Sequence, residues 1–158
     1  RDEMEALVLG LREVVQVADP VLAKAAENAL SKLKASLPER MRAEFEHAVL
    51  YAKRFYCRPD ISIDIEALRH ATRAEHVIEL DYADVEGART QRAIQPLAIV
   101  VFDRSLVVLA WCELRQDYRS FRIDRIEKMT VTERSFRPRR VSMLREYLDR
   151  LEQNFPGD

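Results

Sequence analysis

Along the first third of the chain, apolar residues recur at spacings of three and four, which is typical of the buried face of an amphipathic helix. The first such run ends at Asp19-Pro20. Asp is a favoured N-cap and Pro is well tolerated at the first helical position, so a second helix is predicted to begin there. Pro38 repeats this signal. The pattern therefore predicts three helices over residues 1 to about 55.

The pattern changes after Arg58-Pro59-Asp60. A short helix is predicted around residues 65–72, and then Ile78, Leu80 and Tyr82 alternate with polar residues, as expected of a half-buried strand. Further β-rich runs are separated by polar turns and are predicted to form strands at residues 90–102, 106–114, 118–124 and around 131. Helical spacing returns over residues 141–154.

Short strands joined by tight turns favour a small closed barrel, because closure removes exposed sheet edges. The predicted fold class is α+β, with an N-terminal three-helix segment, a small SH3-like or Sm-like β-barrel and a C-terminal helix. The predicted organisation is a helical linker or dimerisation segment over 1–58, a ligand-sensing barrel over 61–140, and a C-terminal helix and tail over 141–158.

Composition and motif content argue against several classes of function. With 47% hydrophobic and 34% charged residues, the chain reads as globular rather than disordered or membrane-spanning, and we expect a cytoplasmic location without membrane association. Two distant cysteines and three histidines without metal-ligand spacing predict no metal, and three scattered glycines provide no phosphate-binding loop. We therefore predict no catalytic residues, no cofactor and no enzymatic activity. Because the chain begins at an arginine, we expect it to be part of a longer protein.

The net charge of −1 conceals a local excess of arginine between residues 115 and 140. Guanidinium groups match phosphate oxygens bidentately and stack on bases, so this segment suits nucleic acid or phosphate. A solvated surface without a ligand is the alternative.

Strand alternation in residues 118–126 places Phe121 on the core face and Arg122 on the opposite face. Arg119 has the core-facing parity and is expected at the barrel rim, because burying an unpaired guanidinium is costly. Arg92 shares parity with Ile94 and raises the same question. Both a ligand pocket and structural ion pairs could explain these arginines; for the latter, the candidate partners are Asp81, Asp117 and Asp124.

Residues 64–137 resemble the WYL domain of bacterial transcription regulators, on the evidence of Ile78 to Tyr82, the turn at Gly87 and the segments 92–97, 110–115 and 119–126. The preceding helices look like the linker that joins a winged helix-turn-helix to this domain in the family. The tripeptide that names the family falls at Leu106-Val107-Val108, so its Trp and Tyr are both absent here.

The resemblance implies an Sm-like barrel that binds single-stranded DNA or RNA, or a nucleotide, and relays its occupancy to an N-terminal DNA-binding domain, in a protein that could form a homodimer. Phosphate contacts are then predicted from the arginines of the barrel, and a stacking or hydrogen-bonding surface from one of two tyrosines. The candidate residues are Arg92, Arg115, Arg119, Arg122, Arg125, Tyr82 and Tyr118. A sensor of a small acidic metabolite and a ligand-free assembly domain are the alternative hypotheses.

Overall fold

A computed structural model describes residues 2–39, 41–42, 60–102 and 105–154. The chain divides into two compact units, residues 1–57 and 58–158. Each unit is described by itself.

The first unit contains helix α1 (Asp2–Val17) and helix α2 (Pro20–Ser36), which pack against each other. The predicted N-cap is confirmed, since the Asp19 carboxylate accepts hydrogen bonds from the backbone N–H groups of Val21 and Leu22, each at 3.1 Å. Residues 39, 41 and 42 are helical, and the rest of the predicted third helix lies outside the described residues.

The second unit combines two helices with a five-stranded antiparallel sheet in the order β4-β3-β2-β1-β5. Its elements in chain order are α3 (Ile65–Ala74), β1 (His76–Ala83), β2 (Arg89–Phe102), β3 (Ser105–Cys112), β4 (Asp117–Arg122), a 3-10 turn (Ile123–Arg125), β5 (Ile126–Ser135) and α4 (Arg140–Asn154). The edge strands β4 and β5 are joined by the 3-10 turn and are not paired with each other in the described residues; we call this five-stranded sheet the barrel. The predicted α+β fold class is confirmed.

The β1–β2 hairpin sets the register on which the candidate site depends. Asp84 Oδ1 accepts the backbone N–H groups of Glu86 and Ala88 at 2.9 and 2.8 Å, and Gly87 has a φ of +83°, a region that glycine adopts without strain. The resulting register places Tyr82 opposite Thr90.

The two faces of the sheet carry separate apolar clusters, because side chains alternate along each strand. The inner face encloses a cluster that includes Ile78, Leu80 and Ile94, with Leu68 of α3 packed into it. The outer face packs against α4 through Met143 and Tyr147. Helix α4 therefore covers part of the outer sheet face.

Candidate anion-binding site at the barrel mouth

One end of the barrel is covered and the other carries polar groups. Helix α3 leads directly into the start of β1 and contacts β1, β2 and β5. Tyr82, near the other end of β1, lies opposite Thr90, and Leu80 lies opposite Arg92. Paired residues on antiparallel strands share a face, so Tyr82, Thr90 and Arg92 all lie on the inner face, away from α3.

Arg92 is held in place by its neighbours on this face. Its Nε donates a hydrogen bond to Thr90 Oγ1 at 3.1 Å, and its Nη1 lies 3.9 Å from Cys112 Sγ. Cys112 is a free thiol and is fully buried. A guanidinium has five N–H groups, so most of those on Arg92 remain for a ligand.

Arg119 belongs to the same face on the edge strand β4. It lies opposite Ala110, whose side chain is in the inner cluster, and two residues before the buried Phe121. The Phe121 ring meets the Tyr82 ring edge to face, with centroids 5.2 Å apart. Arg119 is exposed and forms no ion pair with any other residue that the structure describes.

We give the name barrel mouth to this set of inner-face side chains, which cross-strand pairing and the contacts above relate to one another. Its members are Tyr82, Thr90, Arg92, Cys112, Arg119 and Phe121. The sequence analysis did not select Thr90 or Cys112. Their inward parity was the available signal, but the contact of each with Arg92 depends on cross-strand register. Two guanidinium groups on an apolar and aromatic base could hold a phosphate and support a base or sugar.

Arg122 differs from the other predicted arginines because it has a partner. Its Nε and Nη2 donate to the two carboxylate oxygens of Asp124 at 3.0 and 2.9 Å, and this hydrogen bonding raises the Arg122 pKa above its ordinary value. The backbone N–H of Arg122 donates to the Tyr82 hydroxyl at 3.2 Å. Asp124, which the sequence analysis named as a candidate partner for Arg92 and Arg119, is thus the partner of Arg122.

Arg115 and Arg125 lie in the chain segments on either side of β4. Arg115 is exposed in the turn at residues 113–116, and Arg125 is half-buried in the 3-10 turn. Neither forms an ion pair with another described residue. Together with Arg119 they place positive charge along one edge of the sheet.

Tyr118 lies away from the barrel mouth, on the outer face of the sheet. Its ring is stacked on Tyr147 at 5.0 Å and meets Trp111 edge to face at the same distance, and its hydroxyl donates to Glu146 Oε2 at 2.7 Å. Burial, followed by the Glu146 hydrogen bond, raises the Tyr118 pKa to about 12. Because only 7% of Tyr118 is exposed, α4 covers the ring that we had considered as a stacking surface.

A shallow polar cleft of about 340 Å³ lies over the outer side of β1. Glu79, Asp81 and Lys128 line it, and Arg92 borders it. The carboxylates of Glu79 and Asp81 offset the positive charges of Lys128 and Arg92, which also line this cleft, so the cleft suits a phosphate less well than the barrel mouth does.

Residues 64–131 match the family model described as the WYL domain. The predicted resemblance of this segment to the WYL domain is therefore confirmed. The residues at the family's naming tripeptide, Leu106, Val107 and Val108, are 5%, 6% and 0% exposed, so here they serve the core on both sheet faces.

Proteasome accessory factor B/C of Arthrobacter aurescens is a solved structure to which the chain is similar, with 24% identity and a TM-score of 0.45. The match covers 49% of this chain and 12% of that protein. The family match and the strand order, rather than this likeness, identify the fold.

Two further observations concern the described residues only. None of their helices combines the length and apolar character needed to cross a membrane. No group of three or more His, Cys, Asp or Glu residues among them is arranged to hold a metal ion.

Proposed function

We propose that the barrel is the effector-sensing domain of a transcription regulator and binds single-stranded nucleic acid or a nucleotide at the barrel mouth. The observation that carries this proposal is the position of Arg92 and Arg119. Both lie on the inner sheet face, and neither forms an ion pair with another described residue. A phosphate between them would gain charge-assisted hydrogen bonds from oriented donors.

The extent of positive charge favours a strand over an isolated phosphate. Arg115, Arg119 and Arg125 lie on or beside the edge strand β4, so successive phosphates could follow this edge. Tyr82 is half-buried with its ring against Phe121, which provides a rigid surface for a base or sugar.

In the intact protein we assign residues 1–58 to a helical linker and dimerisation segment, 61–140 to sensing, and 141–158 to a C-terminal helix and tail. An N-terminal winged helix-turn-helix would receive the signal, and a homodimer would suit a two-fold operator. Relay requires the effector to prefer one arrangement of these parts, because equal affinity for two states shifts nothing.

Ion pairs in the same region favour a second candidate function, a ligand-free assembly domain. Arg122 pairs with Asp124, and the guanidinium of Arg134 donates to both carboxylate oxygens of Glu113 at 2.8 and 3.1 Å. On this hypothesis the arginines are structural and the chain forms a dimer that no ligand perturbs.

Fluorescence anisotropy with short labelled single-stranded DNA and RNA, at two salt concentrations, tests the proposal. We expect salt-sensitive binding that weakens about tenfold in Arg119→Gln, since a hydrogen bond to a charged group contributes on the order of 1.5 to 3 kcal/mol. Arg145→Gln is the matched control, because Arg145 is exposed on α4 and is not part of the barrel mouth. Equal affinity of Arg119→Gln and the unaltered chain would show that the barrel mouth is not the site.

The same experiment separates the alternatives. Stabilisation by a mononucleotide without binding of oligonucleotides would favour a small-molecule sensor. If neither a mononucleotide nor an oligonucleotide binds, and sedimentation shows a dimer that no ligand perturbs, the assembly domain is favoured.

A further inference from the structure

A second cavity, of about 260 Å³, lies between α3, the middle of β2 and the start of α4. Arg69 and Arg73 of α3 and Arg140 of α4 line it, and Leu97 and Ile99 of β2 form its apolar part. No carboxylate is among the described side chains that line it. This composition differs from that of the cleft over β1, which two carboxylates line.

The structure brings Arg140 of α4 together with Arg69 and Arg73 of α3, which lie far from it in the sequence. Arg69 and Arg73 are four residues apart, so they lie on the same side of α3. Two positive charges at this spacing repel each other. Arg140 approaches from α4, where its Nη1 donates to the carbonyl oxygen of Leu97 at 3.0 Å. That bond orients the Arg140 guanidinium and leaves most of its N–H groups available.

The surroundings of Arg140 preserve the positive character of the cavity. Among the described residues, Arg140 contacts a carboxylate through its backbone, where Glu75 Oε2 accepts the Arg140 N–H at 3.1 Å. Glu75 therefore caps the first turn of α4, which contains no acidic residue of its own. Arg73 is exposed and forms no ion pair with another described residue.

We propose that this cavity binds the phosphate monoester group of a small ligand. The guanidinium groups of Arg73 and Arg140 match the charge and the oxygen geometry of a phosphate, and the half-buried Ile99 can contact an apolar or ring-shaped remainder. The phosphate could belong to a nucleoside 5′-monophosphate or to a phosphorylated sugar. The site is separate from the barrel mouth and does not depend on the function proposed for it.

Nuclear magnetic resonance of the 158-residue chain can observe the arginine Nε–H groups directly. The probes are inorganic phosphate, adenosine 5′-monophosphate, glucose 6-phosphate and, without a phosphate, adenosine. We expect the phosphate-bearing probes to shift the Nε–H resonances of Arg73 and Arg140, while adenosine does not. Tighter binding of adenosine 5′-monophosphate than of glucose 6-phosphate would identify a nucleotide as the source of the phosphate. The reverse order would identify a phosphorylated sugar.

Arg73→Gln is the test variant, because Arg73 can be neutralised without breaking a contact to another described residue. We expect it to weaken phosphate binding about tenfold with an unchanged melting temperature. Arg145→Gln removes one exposed positive charge elsewhere on the surface and should leave the affinity unaltered. Equal weakening by Arg73→Gln and Arg145→Gln, or no shift of the cavity resonances by any phosphate, would overturn the proposal.

Discussion

The two faces of the sheet each carry a tyrosine, yet the two tyrosines are in different states. Tyr82 on the inner face is half-buried, and its hydroxyl accepts a backbone hydrogen bond at the barrel mouth. Tyr118 on the outer face is stacked on Tyr147 and its hydroxyl donates to Glu146. A face that sequence alternation marks as outward is thus buried when a later helix packs on it.

The arginines show the same contrast. Arg122 is paired with Asp124, whereas Arg119, three residues earlier, has no ion-pair partner among the described residues. The two arginines belong to the same basic segment, and each has an aspartate two residues away, Asp117 before Arg119 and Asp124 after Arg122. Local charge density therefore identifies a basic segment without separating structural arginines from those available to a ligand.

The largest expected effect concerns the covering of the outer face. Tyr147→Ala removes the ring stacked on Tyr118 and should destabilise the protein by about 3 kcal/mol, as truncation of a buried aromatic usually does. Urea unfolding measures this change. Leu148→Ala is the control, since Leu148 is adjacent on α4 but 43% exposed, and it should cost less than about 1 kcal/mol. Equal losses in the two variants would show that α4 does not bury the outer face through Tyr147.

The next effect is a dependence on high pH. Tyr118 titrates near pH 12 when folded and near 10.0 at its ordinary value, so folding favours the protonated hydroxyl. Its contribution is fully present below pH 10 and is lost as the pH rises through about 12. The loss amounts to about 2 to 3 kcal/mol.

The measurement for this effect is the difference in unfolding free energy between the unaltered chain and Tyr118→Phe across pH 8 to 12. The variant cannot titrate at this position, so the difference should change only above pH 10. Tyr147, whose pKa burial also raises, is present in both chains and cancels. A difference that stays constant to pH 12 would contradict the buried position of the Tyr118 hydroxyl.

The smallest expected effects on stability distinguish Arg122 from Arg119. Arg122→Gln breaks the double hydrogen bond to Asp124 and should cost about 1 kcal/mol, whereas Arg119→Gln should change stability by less than about 0.5 kcal/mol. For single-stranded nucleic acid, Arg119→Gln should weaken the affinity more than Arg122→Gln does. Thermal melts and anisotropy on the same samples measure both. Equal effects of the two substitutions in both assays would remove the distinction between paired and available arginines.

Much of the fold was predictable because its signals are local. Asp19 and Pro20 predict a helix start because the first backbone N–H groups of a helix need acceptors, which the Asp19 side chain provides. The alternation of apolar and polar residues around Leu80 indicates a strand with one buried side, and Gly87 indicates a turn that needs a positive φ. The end of β4 was less well predicted, since a 3-10 turn replaces the strand from Ile123 onward while keeping that side chain buried.

The candidate site was predictable only in part. Strand parity assigned Arg119 and Arg92 to the core-facing register, and the structure places both on the inner face. The role of these residues in binding stays a prediction. The cavity of Arg69, Arg73 and Arg140 was not predicted, because α3 and α4 are about seventy residues apart in sequence and no local pattern relates them.

By itself, the sequence determined which segments form helices and strands, which side of each strand is apolar, and the resemblance of residues 64–137 to the WYL domain. These properties depend on backbone propensity and on periodicity within a few residues. Only the tertiary structure decided that α4 buries Tyr118 and that Arg140 lines one cavity with Arg69 and Arg73. Those outcomes depend on cross-strand register and on the packing of elements far apart in the chain, which short-range patterns do not contain.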